Sequence, residues 1–313
     1  MSSSTSLPPP LIPDKPFNDP NADVILTSSD GADFRVQRAS LTLLSPVFED
    51  LFRLPQPPND PAVPSIPMAE SADTLDLVLR FCYPGAERKI PDNIDQLRQV
   101  LEVSLLKYDI QSIVPKAKKF VSDYLASNPI AVYAIACCYE WKELAVSAAR
   151  CSLDPPLRSF PSNSAFELSE LESLSATHYH RLLQYHAACA AACLDSIEMK
   201  RWITAPPQDV WFTCKNAECS TNPDWMWYLS DGQLWLVRDW FLAYMKAVRD
   251  VLEARPSARV DDPQLMVEAM KQMVKCSNCR QNGFEQLQNF ATKTFASRIR
   301  EVVDKVKLDL PFA

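Results

Sequence analysis

The sequence predicts an α+β fold that is mainly α: a small sheet flanked by helices, then a helical C-terminal region. Three observations lead there. Two short β-branched or aromatic runs, Ala22-Asp23-Val24-Ile25-Leu26 and Asp33-Phe34-Arg35-Val36-Gln37, flank a Ser28-Ser29-Asp30-Gly31 turn and read as a hairpin. Apolar residues then recur at helical spacing through most of the chain. Only 4 Gly stand against 26 Pro in 313 residues, which suits helices joined by stiff loops and leaves little room for a phosphate-cradling glycine loop.

The elements follow in order. Residues 1–20 read as a disordered Ser/Pro-rich arm, and Met1 to Pro10 lack the basic start and apolar stretch of a signal peptide. After the hairpin, Arg38 to Phe52 reads as two short helices broken at Ser45-Pro46, with Ser45 as N-cap and Pro46 in the first turn of the second. A loop from Pro55 to Pro61 leads to a short strand, Ser65-Ile66-Pro67-Met68. Leu75, Val78, Leu79 and Cys82 lie at i, i+3, i+4 and i+7, a helix with one buried stripe that opens after Ser71 and ends at Tyr83-Pro84-Gly85. Ile94, Leu97, Leu101, Leu105 and Tyr108 share the face of the next helix. A further one, from about Ile113 to Leu125, buries Ile113, Ala117, Phe120, Val121 and Tyr124.

Beyond Ser127 the pattern stays helical. Asn128-Pro129 caps a segment from Ile130 to Glu140 whose apolar face holds Tyr133, Ala136, Cys137 and Trp141. Ser152 to Pro156 breaks the chain, and Ser162-Asn163-Ser164 opens a helical block from Phe166 to about Trp202. The run Trp225-Met226-Trp227-Tyr228 with Trp235, Trp240, Phe241 and Tyr244 reads mostly as core. Phe284, Leu287, Phe290, Ala291, Phe295, Ile299, Val302, Val303 and Val306 make an apolar face too wide for a lone surface helix. The expected organisation is therefore residues 1–20, 21–127, 128–202 and 203–313.

From Asp23 to Ser127 this order of elements, with its Phe81-Cys82-Tyr83-Pro84-Gly85 helix end, resembles the BTB/POZ domain over about a third of the chain. The resemblance implies a protein-interaction module that self-associates as a homodimer through its first helices and N-terminal strand. By position Leu41, Leu44, Val47, Phe48 and Leu51 lie nearest that interface, some also serving the core. Two departures stand out. Gln37 occupies a position where the family usually carries His. Leu54-Pro55-Gln56 and the proline loop replace the hydrophobic-x-acidic element of family members that recruit a cullin scaffold. A cullin-type ubiquitin-ligase substrate adaptor is therefore an alternative that the resemblance does not carry over. Residues 128–202 resemble the BACK-type helical extension, and the whole chain looks like BTB proteins of mushroom-forming fungi.

One constellation could carry chemistry. Cys214 and Cys219 form a C-x4-C pair, and Cys276 and Cys279 a C-x2-C pair. Two close pairs are how chains supply a structural Zn²⁺ with four thiolates, and Lys215, Lys275 and Arg280 beside them would favour ionisation. The 56 residues between Cys219 and Cys276 exceed the spacing of ordinary zinc ribbons. A helical hairpin from Trp225 to Met273 would close that gap at small entropic cost. Four ordinary reduced cysteines are the other reading, and both stay open. His186, Cys189 and Cys193, at i, i+3 and i+7 among alanines, read as a packed helix contact, with Cys as a small hydrophobe. His178 and His180 read as surface or helix-start residues.

Composition narrows the function. The net charge of −7 argues against a nucleic-acid footprint, so a nucleic-acid-associated regulator with a four-cysteine zinc module is a further alternative rather than the expectation. No apolar run is long enough for a membrane span. The ten Cys are expected to be reduced thiols in an intracellular setting, cytoplasmic or nuclear. No P-loop, G-x-S-x-G or dinucleotide motif is present. The expectation is a non-enzymatic binding protein whose partners are itself and other proteins of unknown identity.

Overall fold

The computed structural model describes residues 13–54, 63–83, 86, 91–154, 174–204 and 207–312. It divides into two compact units, Met1–Ser127 and Asn128–Ala313.

In the first unit, strands β1 (Val24–Thr27) and β2 (Asp33–Val36) form the expected antiparallel hairpin, with Val24 opposite Val36 and Leu26 opposite Phe34. These four side chains are buried on one face of the sheet, as the two-residue period of a strand requires. Gly31 takes the turn position with φ +89°, which a side chain would resist. Strand β3 (Ser65–Pro67) adds in parallel to β1, giving the order β2-β1-β3.

Helix α1 (Arg38–Leu44) and helix α2 (Pro46–Arg53) meet at Ser45. The Ser45 hydroxyl accepts from the Phe48 amide at 3.2 Å and donates to the Tyr108 carbonyl, so one side chain caps α2 and ties it to a distant segment. Helix α3 (Ala72–Cys82) opens on its Ser71 cap. It is buried on nearly every side, where the sequence predicted one stripe. Even Asp76 is enclosed, ion-paired to Arg80 at 2.9 Å. The Asp30 carboxylate fixes the start of α3 by accepting from the Ala72 amide at 2.9 Å.

Helix α4 (Ile94–Leu101) continues into a π-helical stretch, Glu102–Lys107, and α5 (Val114–Ser122) closes the unit. Ile94, Leu97, Leu101, Leu105 and Tyr108 are all buried, as their spacing predicts. The Tyr108 hydroxyl donates to Glu70 at 2.7 Å, and Lys107 pairs with the same carboxylate.

One boundary moves. Phe17 is fully buried against Phe34 and Tyr83, at 6.0 and 5.5 Å between centroids, and its carbonyl accepts from the Arg35 amide. A ring with that much apolar surface finds a core. Residues 13–20 therefore belong to the folded unit, not to a disordered arm. The expectations for residues 1–12 and for the 55–61 loop lie outside the described residues.

The second unit begins with α6 (Pro129–Cys138), packed on α7 (Lys142–Cys151). The long α8 (Ala176–Glu198) is capped by Ser175, whose hydroxyl accepts from the His178 amide. The predicted helix start at Ser162 to Ser164 lies outside the described residues. Then come a short α9 (Val210–Thr213), strands β4 (Thr221–Tyr228) and β5 (Leu234–Arg238), α10 (Asp239–Ala254), α11 (Pro263–Met273), α12 (Ser277–Asn289), a π-helical stretch at Phe290–Phe295 and α13 (Ala296–Lys305).

Helix α8 packs on both α10 and α13, so the segments separated by sequence at residues 202 and 203 share one core. At its centre Trp211 stacks on Phe241 at 4.4 Å and 2°, with Trp227, Trp240 and Phe290 arranged around them. The broad apolar face near the C-terminus is buried here from Leu287 to Val303, while Phe284 is exposed.

Candidate functional site

Two regions remain as candidates, one in each unit. In the first, the α1–α2 pair presents apolar side chains outward. Leu41 and Phe48 do not take part: at 0% and 1% exposure they are core residues, with Phe48 stacked on Tyr108 at 4.7 Å. Leu44 and Leu51 are half-buried, and Val47 is exposed.

The most exposed residue is one the expected set omits: Leu43, at 88%, with Leu54 also exposed just beyond α2. Leu43 lies two residues from Leu41, a rotation of about 200° on an α-helix, so burying one turns the other outward. That rotation is readable from sequence once the buried residue is known. Gln37 turns its amide to the Asn21 carbonyl at 3.1 Å, and its backbone N–H donates to the Tyr83 hydroxyl.

The second region is built by elements far apart in the chain. The turn ending α9 delivers Cys214, whose amide donates to the Val210 carbonyl at 3.0 Å. Residues 215–218 fold over Asn216, whose carbonyl accepts from the Cys219 amide. The chain then leaves through the β4–β5 hairpin, α10 and α11, and returns at Cys276, the N-cap residue of α12. Cys279 sits in the first turn of that helix. Two clips hold the ends together: Asn216 donates to Ser277 at 3.1 Å, and the Gln286 side chain accepts from the Val210 amide at 2.8 Å. The intervening 56 residues are thus a β-hairpin followed by two packed helices, not a helical hairpin alone.

The outcome is a cluster. The sulfurs of Cys214, Cys219, Cys276 and Cys279 all lie within 4.8 Å of one another, and all four residues are buried. Cys214 Sγ is 3.7 Å from Cys276 Sγ, and Cys219 Sγ is 3.4 Å from Cys279 Sγ. Burial opposes ionisation at Cys214, but hydrogen bonds from the Asn278 side chain, the Asn216 backbone and the neighbouring thiols outweigh it and bring this thiol down to about 7. Burial pushes Cys219 up to about 11 and raises Cys279 as well. The cation acting at Cys219 is Arg238, whose guanidinium also donates to the Cys219 carbonyl. Lys215, Lys275 and Arg280 point to solvent.

The remaining candidates separate from this cluster. His186 is buried with Nε2 2.8 Å from the Ser152 hydroxyl, and Cys193 donates to the Pro256 carbonyl, as core residues do. Among the described residues, Cys214, Cys219, Cys276 and Cys279 form the one group of metal-ligating side chains close enough to share an ion.

The first unit thus combines a three-stranded sheet, the α1–α2 pair and the helices around α3. Residues 15–125 match the BTB/POZ domain family. The chain therefore carries a BTB/POZ domain spanning essentially the whole described first unit. No curated protein significantly matches the chain. Among the described residues, no helix is long and apolar enough to cross a membrane.

Proposed function

We propose that this protein is a non-enzymatic interaction protein that self-associates through its BTB/POZ domain and recruits other proteins. The observation that carries the reading is the apolar surface of α1 and α2, with Leu43 almost fully solvated and Val47 and Leu54 exposed beside it in sequence. Leaving Leu43 in water forgoes burial worth about 25 cal/mol per Å² of apolar surface. The half-buried Leu44 and Leu51 complete the contact, while Leu41 and Phe48 support it from the core. The helical second unit, with its BACK-like beginning, extends this architecture, and its partners stay unnamed. The likeness to BTB proteins of mushroom-forming fungi belongs to the same reading and rests on the order of module, helical middle and paired cysteines.

Sedimentation of the full chain across micromolar concentrations tests it. A dimer is expected, and Leu43→Asp should weaken it about thirtyfold, the effect of losing an interface anchor worth about 2 kcal/mol. Leu43 is 88% exposed, so the variant should fold. A chain that stays monomeric at the highest concentration would refute self-association.

A further inference from the structure

The four cysteine sulfurs converge in one small buried cluster, each within 4.8 Å of the others. A tetrahedral ion with Zn–S bonds of about 2.3 Å sets its ligand sulfurs about 3.8 Å apart. The two separations of 3.7 and 3.4 Å lie close to that edge, and both far exceed the ~2.05 Å of a disulfide. Packed thiols also touch at such distances, so the weight falls on all four sulfurs, from two segments 56 residues apart, converging within 4.8 Å of one another.

Their surroundings differ in kind from those of the other buried cysteines. Cys82 donates its S–H to the Val78 carbonyl and Cys193 to the Pro256 carbonyl, the behaviour of neutral structural thiols. Within the cluster, Cys214 faces N–H donors instead. Cys214 receives the Asn278 side chain and the Asn216 backbone N–H. The buried Trp240 indole N–H, on α10 beside the cluster, has no acceptor among the described residues. Cys276 and Cys279 stand at the start of α12, where the helix dipole favours negative charge. Arg238 approaches from β5. Donors of this sort are what surround metal-bound thiolates, tuning and orienting them.

We infer that Cys214, Cys219, Cys276 and Cys279 bind one Zn²⁺ in a closed four-thiolate site. Binding forms four Zn–S bonds and releases to solvent one proton from each cysteine that was still a thiol, up to four in all. The resulting double negative charge is spread over the surrounding N–H groups and Arg238. With four protein ligands no position stays open for a substrate or water, so the ion is structural. Its role is to lock the end of α9, the start of β4 and the start of α12 together, which closes the long excursion between the two pairs.

Full-length protein purified under reducing conditions should hold close to one zinc per chain by elemental analysis after dialysis. Cys276→Ser should reduce this to nearly none, whereas Cys189→Ser, in the core of the same unit, should retain it. A folding defect in the first variant would not blur the result, because the unaltered chain loaded with Co²⁺ should show the intense charge-transfer and d–d bands of tetrahedral thiolate coordination. In denaturant with chelator all ten cysteines should react as free thiols. Unaltered protein that holds no zinc and gives no such Co²⁺ spectrum would overturn the assignment. So would a count of eight or six thiols, which would mark disulfides in place of a metal.

Discussion

Single residues in this chain carry more than their type suggests, and His186 is the clearest case. It is buried in α8 with its ring nitrogen on the Ser152 hydroxyl, and desolvation lowers its pKa from 6.5 to about 4. The unfolded chain takes up this proton below about pH 6.5, and the folded chain only near pH 4. Stability from this group is thus fully present above pH 6.5 and is lost as pH falls toward 4, on the order of 3 kcal/mol over the whole interval. Denaturant titrations at pH 7 and 4.5 should show a clearly smaller loss for His186→Gln than for the unaltered chain; equal losses would remove the histidine from the explanation. Ser45 is a second case. Its hydroxyl caps α2 and also satisfies the buried Tyr108 carbonyl, so Ser45→Ala should destabilise the BTB/POZ unit by about 2 kcal/mol, more than the loss of a cap alone. A cost of a few tenths would show that the Tyr108 contact contributes nothing.

Among the elements, the β4–β5 hairpin is the one that periodicity alone missed. The run from Trp225 to Tyr244 has residues at helical spacing, and Trp240, Phe241 and Tyr244 do lie on α10. The first part instead pairs as strands, Met226 with Leu236 and Trp227 with Trp235. The signal was present: Asp231-Gly232 sits between alternating aromatic and aliphatic residues, the same kind of turn that marks β1–β2. Gly232 has φ +72° with open space around an added methyl group, so any penalty there is backbone strain and not collision. Gly232→Ala should cost the second unit about 1 kcal/mol in chemical denaturation, and no measurable cost would mean that the turn relaxes freely. The two helix starts at Ser45 and Ser71 were legible because each cap depends on neighbours three residues away. The π-helical stretches at Glu102–Lys107 and Phe290–Phe295 were not, since no residue pattern in the sequence marks them.

For the molecule as a whole, the division into two units gives the zinc assignment a selective readout. All seven tryptophans lie beyond Ser127, so intrinsic tryptophan fluorescence follows the second unit alone. Ligation to the native state adds its binding free energy to stability. A strong chelator should therefore lower the fluorescence-detected melting temperature of the unaltered chain while a BTB/POZ transition, followed by another probe, stays in place. A chelator effect equal on both transitions would point to general destabilisation. The segment after α2 bears on a different partner. With prolines at 55, 57, 58 and 61 in place of a hydrophobic-x-acidic element, we expect weak or no binding to a cullin N-terminal domain. A sub-micromolar complex in a purified pull-down would make the adaptor reading the leading one.

Local patterns were enough to specify the BTB/POZ module: its hairpin, its broken helix pair and its helical faces repeat with periods of two or about 3.6 residues. They also picked out the four cysteines, because each pair is close in sequence. How the two pairs are joined depends on long-range packing, since nothing local brings Cys219 to Cys279 across a hairpin and two helices. The same packing settles which apolar residues of α1 and α2 face water. Leu41, Leu43 and Phe48 are alike in being apolar, and Phe48 is buried in part by Tyr108, arriving from sixty residues downstream. The same holds at Phe17, which an arm rich in serine and proline disguised. A residue's burial is set by what reaches it, and for these positions what reaches them comes from elsewhere in the chain.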